Sequence, residues 1–418
     1  MLRNLPYKKY LTVSFLFFAI FPLLPVKLLG LPVIIFFIAT VISFFYNHKN
    51  NLNYKVFFIA IIPYLLFLVS ALYSEDVGYG LAKVFETRLS LLIVPLSFFL
   101  LNKDSISLLK LKWSKFQLIY TLSSLLLSII YILYLPFVKV SANPHFRFPS
   151  GFFFKSAASN LPYWNLEPVY FSLIIVVAFV LVCKLFHENK ISKIYFFLSS
   201  FIFLVILVLM ISKVAVAFVG LFLLWFLFYQ VKILKYRIIA VSALALIAIY
   251  SCYKIPSINY EIQEIYYSIK GEKRTKDDST DQRKRVTESA IELAFKVNPF
   301  FGTGIGDVQN DLNKIYEEKN YKDLLIKKYD AHNQFISMYL GVGAIGIIGL
   351  TLLLFSIIKT CINNQLIFIL WIQCFFILQM FTETLLERQV PIILWSFITS
   401  FVLFLYPFKG RILSYQNK

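Results

Sequence analysis

Residues 168–186 read P-V-Y-F-S-L-I-I-V-V-A-F-V-L-V-C-K-L-F, with one charge, Lys184, close to the end. Roughly 17 to 25 apolar residues suffice to cross the hydrocarbon core of a bilayer as a helix. A helix also satisfies its own backbone donors and acceptors, which lipid cannot do. Similar runs lie on both sides of this one, near residues 10–28, 31–47, 56–73, 89–101, 116–138, 194–212, 214–231, 238–253, 334–358, 365–381 and 390–408. The run at 89–101 is short, and reads as tilted, re-entrant or extended at its N-terminal end. The first run is too long for a signal peptide and has no small-residue cleavage site, so it reads as a retained span.

The chain is 59% hydrophobic and 15% charged, with a mean hydropathy of +0.74; a soluble globular protein has about 25% charged residues. The fold class is therefore an all-α polytopic membrane protein, a single membrane domain over 1–418 with about twelve transmembrane helices. The short alternating segments of a transmembrane β-barrel are absent. Cys183, Cys252, Cys361 and Cys374 sit in or beside the spans, at spacings that fit neither a metal site nor a redox pair.

A net charge of +19 raises nucleic acid as a partner. Its distribution removes it. With a cytoplasmic N-terminus and alternating spans, the inner pieces collect Lys8, Lys9, Lys49, Lys55, Lys110, Lys112, Lys115, Lys190, Lys193, Lys232, Lys235, Arg237, Lys359 and Lys409 among others, against only Asp104 and Glu188. That asymmetry is the positive-inside pattern, with anionic headgroups of membrane lipids as the partner. It predicts both termini in the cytoplasm. It also places outside, on the periplasmic face of the inner membrane if the cell is a Gram-negative bacterium, a smaller loop at 139–167 and a large polar one at 254–332. The smaller loop is rich in aromatics and turn formers and is expected on the membrane surface.

In the large loop, Asp281 to Val297 reads as a helix with Ala290, Leu293, Ala294 and Val297 at helical spacing, stopped by Asn298-Pro299. F-F-G-T-G-I-G-D follows, then a second polar helix over about Val308 to Lys319. The glycine string has no strand before it and lies on the wrong side of the membrane for a dinucleotide fold. A tight outer turn beside a diphosphate is compatible with it.

His332 stands at the outer mouth of a span, with a ring that exchanges a proton near neutral pH. Arg283 and Arg285 open the polar helix, and a guanidinium suits bidentate contact with phosphate oxygens; a solvated charge run reads the same way. Lys213 lies between two apolar runs and Arg88 at the entry to the fourth, and cations at membrane level need partners or a water-filled cavity. Glu383, Glu387 and Arg388 lie at the last outer turn, where they can pair with those cations or brace helices. His145 and Arg147 are further candidates for substrate contact. No nucleophile elbow, P-loop, HExxH or acidic metal cluster occurs. Cations and one histidine without a metal suit displacement of a phosphate leaving group: Arg and Lys neutralise the departing diphosphate and His takes a proton from an acceptor hydroxyl.

R-x-x-x-x-x-S-A-I-E, N-P-F-F-G-T-G-I-G-D and H-N-Q-F-I-S-M-Y-L-G-V-G-A-I-G-I-I-G resemble the O-antigen ligase/polymerase family of bacterial envelopes. E-P-V-Y-F-S, I-S-K-V-A, R-L-S-L-L-I-V-P-L and T-E-T-L-L-E-R-Q are similar to its Bacteroidetes-type branch. The resemblance implies a GT-C-like membrane glycosyltransferase without cofactor. Such an enzyme takes a glycan from an undecaprenyl diphosphate carrier and joins it, with inversion and without metal, to a hydroxyl of a glycan, lipid A–core or protein acceptor. It implies His332 as base and Arg283 or Arg285 on the diphosphate, with Lys213 and Arg88 as further diphosphate ligands. Tyr170, Asn333, Glu383 and Arg388 then support the site. Lys213 stands where ligases tend to have arginine and lacks its fork. Two other readings remain open: a transporter or flippase of lipid-linked glycan, which predicts inverted repeats and broken helices that the sequence does not display, and a non-catalytic envelope scaffold.

Overall fold

A computed structural model describes residues 6–46, 52–138, 150–230 and 279–406, with three isolated positions between 230 and 279. The expected ninth span, 238–253, the first part of the large outer loop, Cys252, His145 and Arg147 lie outside the described residues.

The described residues are helical throughout, without strands. The helices are α1 (Pro6–Phe18), α2 (Leu31–Tyr46), α3 (Tyr54–Leu72), α4 (Val77–Glu86), α5 (Ser90–Phe99), α6 (Lys103–Tyr134), α7 (Gly151–Ser159), α8 (Pro168–His187), α9 (Lys193–Met210) and α10 (Lys213–Gln230). Further along the chain come α11 (Ser279–Lys296), α12 (Val308–Glu318) and α13 (Lys322–Lys327) within the 254–332 loop, then α14 (Gln334–Asn363), α15 (Ile367–Met380) and α16 (Gln389–Leu405). Among the described residues, seven helical segments are long and apolar enough to cross a membrane, and α5, α15 and α16 are shorter apolar helices.

α8 is buried on every side, as a helix apolar all round should be. α6, α9, α10 and α15 surround it. The rim helices turn Phe197, Phe201, Leu221 and Phe355 outward, where lipid is the natural solvent.

Three elements differ from the sequence reading. The first span is not one helix: α1 stops at Phe18, and short 3-10 turns at Phe21–Leu23 and Val26–Leu28 follow. Pro22 and Pro25 lack the N–H groups that would carry the helix on. The 139–167 loop contains a helix, α7, which buries Phe153, Phe154, Ala157 and Ala158 against the bundle, with Tyr131 donating to the Phe154 carbonyl at 2.9 Å. Finally, α14 is broken at Gly343, where φ is 72° and ψ −162°.

That break is filled by the glycine-rich loop. The carbonyls of Pro299 and Phe300 accept from the N–H groups of Ala344 (2.9 Å) and Ile345 (3.5 Å), which the interruption would leave unpaired. Gly341, just before the break, accepts from Ser70 near the end of α3 at 2.6 Å. The stretch from Ala344 to Asn363 rises about 30 Å, a full membrane crossing. Gln334 to Val342 is thus an added segment at the outer end, and the expected 334–358 span shifts toward the C-terminus.

The glycines serve packing. The N–H of Thr303 donates to the Leu340 carbonyl (2.7 Å), and those of Ile305 and Gly306 donate to the hydroxyls of Ser70 and Ser74 (3.0 Å each). Asp307 accepts from the N–H groups of Glu75 and Asp76 at 2.7 and 2.9 Å. With its donors committed in this way, the loop is a clamp between α3 and α14 and offers no ready cradle to a diphosphate. Gly304 has φ +97°, and a Cβ there would meet the Ser74 side chain and stand 2.8 Å from its Cα. Gly304→Ala is expected to destabilise the outer segment by about 1–3 kcal/mol from backbone strain alone. Limited proteolysis in detergent should show faster cleavage within 254–332, and unchanged cleavage would count against the clamp.

α11, α12 and α13 share a small core of Val286, Ala290, Leu293, Leu312, Ile315, Tyr316 and Leu324 that continues onto Leu340 of α14. The outer segment is thereby folded against the helix that follows His332.

Candidate functional site

The sequence H-N-Q-F-I-S, residues 332–337, docks on the outer turn that joins α15 to α16. His332 Nδ1 lies 3.3 Å from Glu383 Oε2. The Asn333 side-chain amide donates to the Phe381 carbonyl at 3.0 Å, while its oxygen accepts from the N–H groups of Phe335 and Ile336 and caps α14. Buried Gln334 accepts from Leu386 N–H at 2.7 Å, and the Ser337 hydroxyl donates to Glu387 at 2.5 Å. Residues 332, 333, 334 and 337 thus each hold a different point of one turn.

His332 itself has φ +45°. Asp330 stabilises this kink by accepting from the His332 N–H at 2.9 Å, and Thr384 donates to the other Asp330 oxygen at 2.8 Å. Nδ1 therefore faces two carboxylates, Glu383 and, at 3.6 Å, Asp330. That arrangement favours the tautomer with the proton on Nδ1 and leaves the Nε2 lone pair for a substrate proton. Burial works against the imidazolium. The hydrogen bond to Glu383 and the charges of Asp330 and Glu383 outweigh both burial and repulsion from Arg283, so the ring's pKa is held above its ordinary value. Glu383 is affected in the opposite sense: burial raises it, but His332 and Arg283 bring it below the usual carboxylate value.

Arg283, on the first turns of α11, reaches Glu383 Oε1 through Nη2 at 2.6 Å. Its side chain is 47% exposed, so one edge of the guanidinium still faces out. Arg285 points elsewhere. It pairs bidentately with Asp323 at 3.0 and 2.9 Å, contacts Asp281 at 3.1 Å and lies over the Tyr321 ring, with its side chain 17% exposed. The two arginines that sequence left equivalent have different neighbourhoods.

Arg88 is buried behind the turn. Its Nε donates to the Leu386 carbonyl at 3.1 Å, Nη2 stands 3.6 Å from Glu387, and the guanidinium covers the Phe67 ring. This buried guanidinium braces the turn, with its Nη1 left without a hydrogen-bond partner among the described residues. Of the expected pairings with the outer acids, Arg88–Glu387 forms, whereas Glu383 serves Arg283 and His332.

Lys213 is exposed and opens α10. Below it, Phe218 packs on Phe375 and Phe222 on Phe368 and Trp371 of α15. Residue numbers run in opposite directions along the two helices, so Lys213 is level with the end of α15, at the same end of the bundle as Glu383.

Arg388 reaches both Glu167 and Asp330 at 4.0 Å, and Tyr170 lies one turn into α8 beside them. Sequence reasoning passed over Asp330, Glu167, Ser337 and Thr384. Asp330 had a local signal, since an aspartate two residues before a kinked position makes an Asx turn. The other three are recognisable only from long-range contacts.

No curated protein matches the chain. The family model described as O-Antigen ligase matches residues 197–351. That stretch runs from α9 through Lys213, Arg283, Arg285 and His332 into α14, and stops before Glu383 and Arg388. The match bears out, over residues 197–351, the resemblance to the O-antigen ligase/polymerase family that the motifs carry.

Proposed function

We propose that the chain transfers a glycan from an undecaprenyl diphosphate donor to an acceptor hydroxyl at the periplasmic face of the inner membrane. The observation that carries this is the Arg283–Glu383–His332 chain of contacts at one end of the bundle. His332 Nε2 takes the proton of the acceptor hydroxyl. The acceptor oxygen forms a bond to the anomeric carbon as the bond from that carbon to the phosphate oxygen breaks. The electron pair leaves with undecaprenyl diphosphate, whose charge Arg283 and Lys213 offset. One displacement inverts the anomeric centre, and no step is routed through a metal or cofactor. The periplasmic orientation rests on the charge asymmetry of the loops.

The test is reconstitution. Purified protein in liposomes, given a lipid-diphosphate glycan and an acceptor, should release undecaprenyl diphosphate and extend the acceptor. Movement of intact donor across the bilayer with no covalent change would overturn the reading in favour of a flippase. The break in α14 is a feature that a transporter reading asks for, but its N–H groups at Ala344 and Ile345 are paired with the Pro299 and Phe300 carbonyls. Lipid A–core, a second lipid-linked repeat and a protein hydroxyl remain the acceptor classes. Surface glycan of a deletion strain separates them: uncapped core with intact lipid-linked polymer marks a ligase, a single capping repeat a polymerase.

The raised His332 pKa sets the pH dependence. The base must be neutral to accept a proton, so turnover should rise with pH through a midpoint above the ordinary histidine value of about 6.5. Glu383→Gln removes a partner that raises the pKa, and should move this limb to lower pH while reducing the maximal rate. A limb that stays in place would detach Glu383 from the base.

A further inference from the structure

Beside Arg388, near the His332 turn, lies a cavity of about 290 Å³. Its polar lining includes Glu167, Tyr170, Glu387, Arg388 and Gln389, and Leu166 and Val390 supply apolar wall. The elements that meet there are the N-terminal ends of α8 and α16 and the break between α4 and α5.

The contacts at this end run in one order: Arg283, Glu383, His332, Asp330, Arg388, Glu167. Arg283 stands at one end of this chain of contacts and Glu167, a cavity residue, at the other. Arg388 lines the cavity and links it to the base, 4.0 Å from Glu167 and 4.0 Å from Asp330. Neither contact is close enough to be a hydrogen bond, so the guanidinium has donors to offer without first breaking a tight pair.

Charge decides what fits. Glu167 and Glu387 line the cavity with Arg388, and Glu387 is paired with Arg88 at 3.6 Å behind it. Two carboxylates balanced by two guanidiniums leave no positive excess to hold a diphosphate or other polyanion. Carboxylate, amide, phenol and guanidinium groups over an apolar floor match the hydroxyls and C–H faces of a neutral sugar. The volume is at the lower edge of small-molecule pockets, roughly 300 Å³ and upward, the scale of one sugar ring.

We infer that the cavity bounded by Asn165, Glu167, Tyr170, Arg388 and Gln389 binds an uncharged sugar ring of the acceptor, whose hydroxyl reaches His332 past Arg388 and Asp330. This rests on the transferase reading for its role and on the cavity alone for binding. The experiment measures binding and turnover separately. Full-length protein in nanodiscs is probed by saturation-transfer NMR with the methyl glycosides of glucose, galactose, mannose and N-acetylglucosamine, with and without excess inorganic pyrophosphate. At least one glycoside should show transfer that pyrophosphate does not displace. Glu167→Gln and Arg388→Gln, checked for an unchanged thermal midpoint, should weaken it roughly tenfold. In the turnover assay, Glu167→Gln should raise the KM for acceptor and leave the KM for donor near its original value. Absence of transfer from every glycoside, displacement by pyrophosphate, or full binding in both folded variants overturns the site. If either variant loses its fold, Gln389→Ala replaces it under the same criteria. Failure of the transferase reading is seen separately, as His332 variants that release undecaprenyl diphosphate at the original rate.

Discussion

His332→Ala is expected to lower the rate of undecaprenyl diphosphate release by about 10²–10⁴-fold, the usual contribution of a positioned general base. The imidazole is oriented from both ends of its own loop. Asp330 holds the backbone kink and Glu383 holds Nδ1, which leaves Nε2 as the basic atom. Because φ is +45° at this position, alanine adds some strain, and His332→Asn is the cleaner variant: asparagine tolerates that backbone but has no basic nitrogen. Both variants should bind donor normally, since the proposed diphosphate ligands lie elsewhere, and both should lose the ascending pH limb. A full rate in His332→Asn, with the limb unchanged, would remove His332 from the chemistry whatever the fate of the alanine variant.

The membrane class, most spans and the outer helices were legible because each is a local pattern: an apolar run, a helical repeat, a stop at Asn298-Pro299. His332 and the arginine pair were legible as chemistry stranded in an apolar chain. The break at Gly343 was not, because the backbone groups that make it tolerable belong to Pro299 and Phe300, more than forty positions earlier in the chain. Nor could sequence assign the glycine string to packing, as its hydroxyl partners Ser70 and Ser74 lie far upstream on α3. Arg88 illustrates the same limit. Its position at the entry to a short helix predicts a cation needing a partner, but only the fold reveals that Glu387 and Leu386 take it out of reach of the open face. Local pattern identified groups capable of chemistry, and long-range pairing determined which of them remain available for it.

The two arginines of α11 carry the other large prediction. Arg283→Ala is expected to cost about 10²–10³-fold in turnover, the scale for removing one donor aimed at developing charge, with the fold retained because the side chain is half exposed. It should also leave a second mark. The Arg283 charge depresses the His332 pKa, so its removal should move the ascending pH limb to higher pH, opposite to the shift from Glu383→Gln. The same coupling acts during turnover: a diphosphate that draws Arg283 away from Glu383 leaves that carboxylate to His332 and strengthens the base as the donor arrives. Arg283→Lys keeps the charge but not the fork, and should fall between wild type and alanine. Arg285→Ala breaks the bidentate pair with Asp323 that ties α11 to α13. Its loss of activity should track loss of loop order, seen as faster proteolysis, with the pH limb unmoved. An Arg283→Ala protein that turns over normally, beside an ordered but inactive Arg285→Ala protein, would exchange the two assignments. The diphosphate would then have to displace Asp323 and the Tyr321 ring to be bound, a rearrangement measurable as a donor-dependent change in protection of α13.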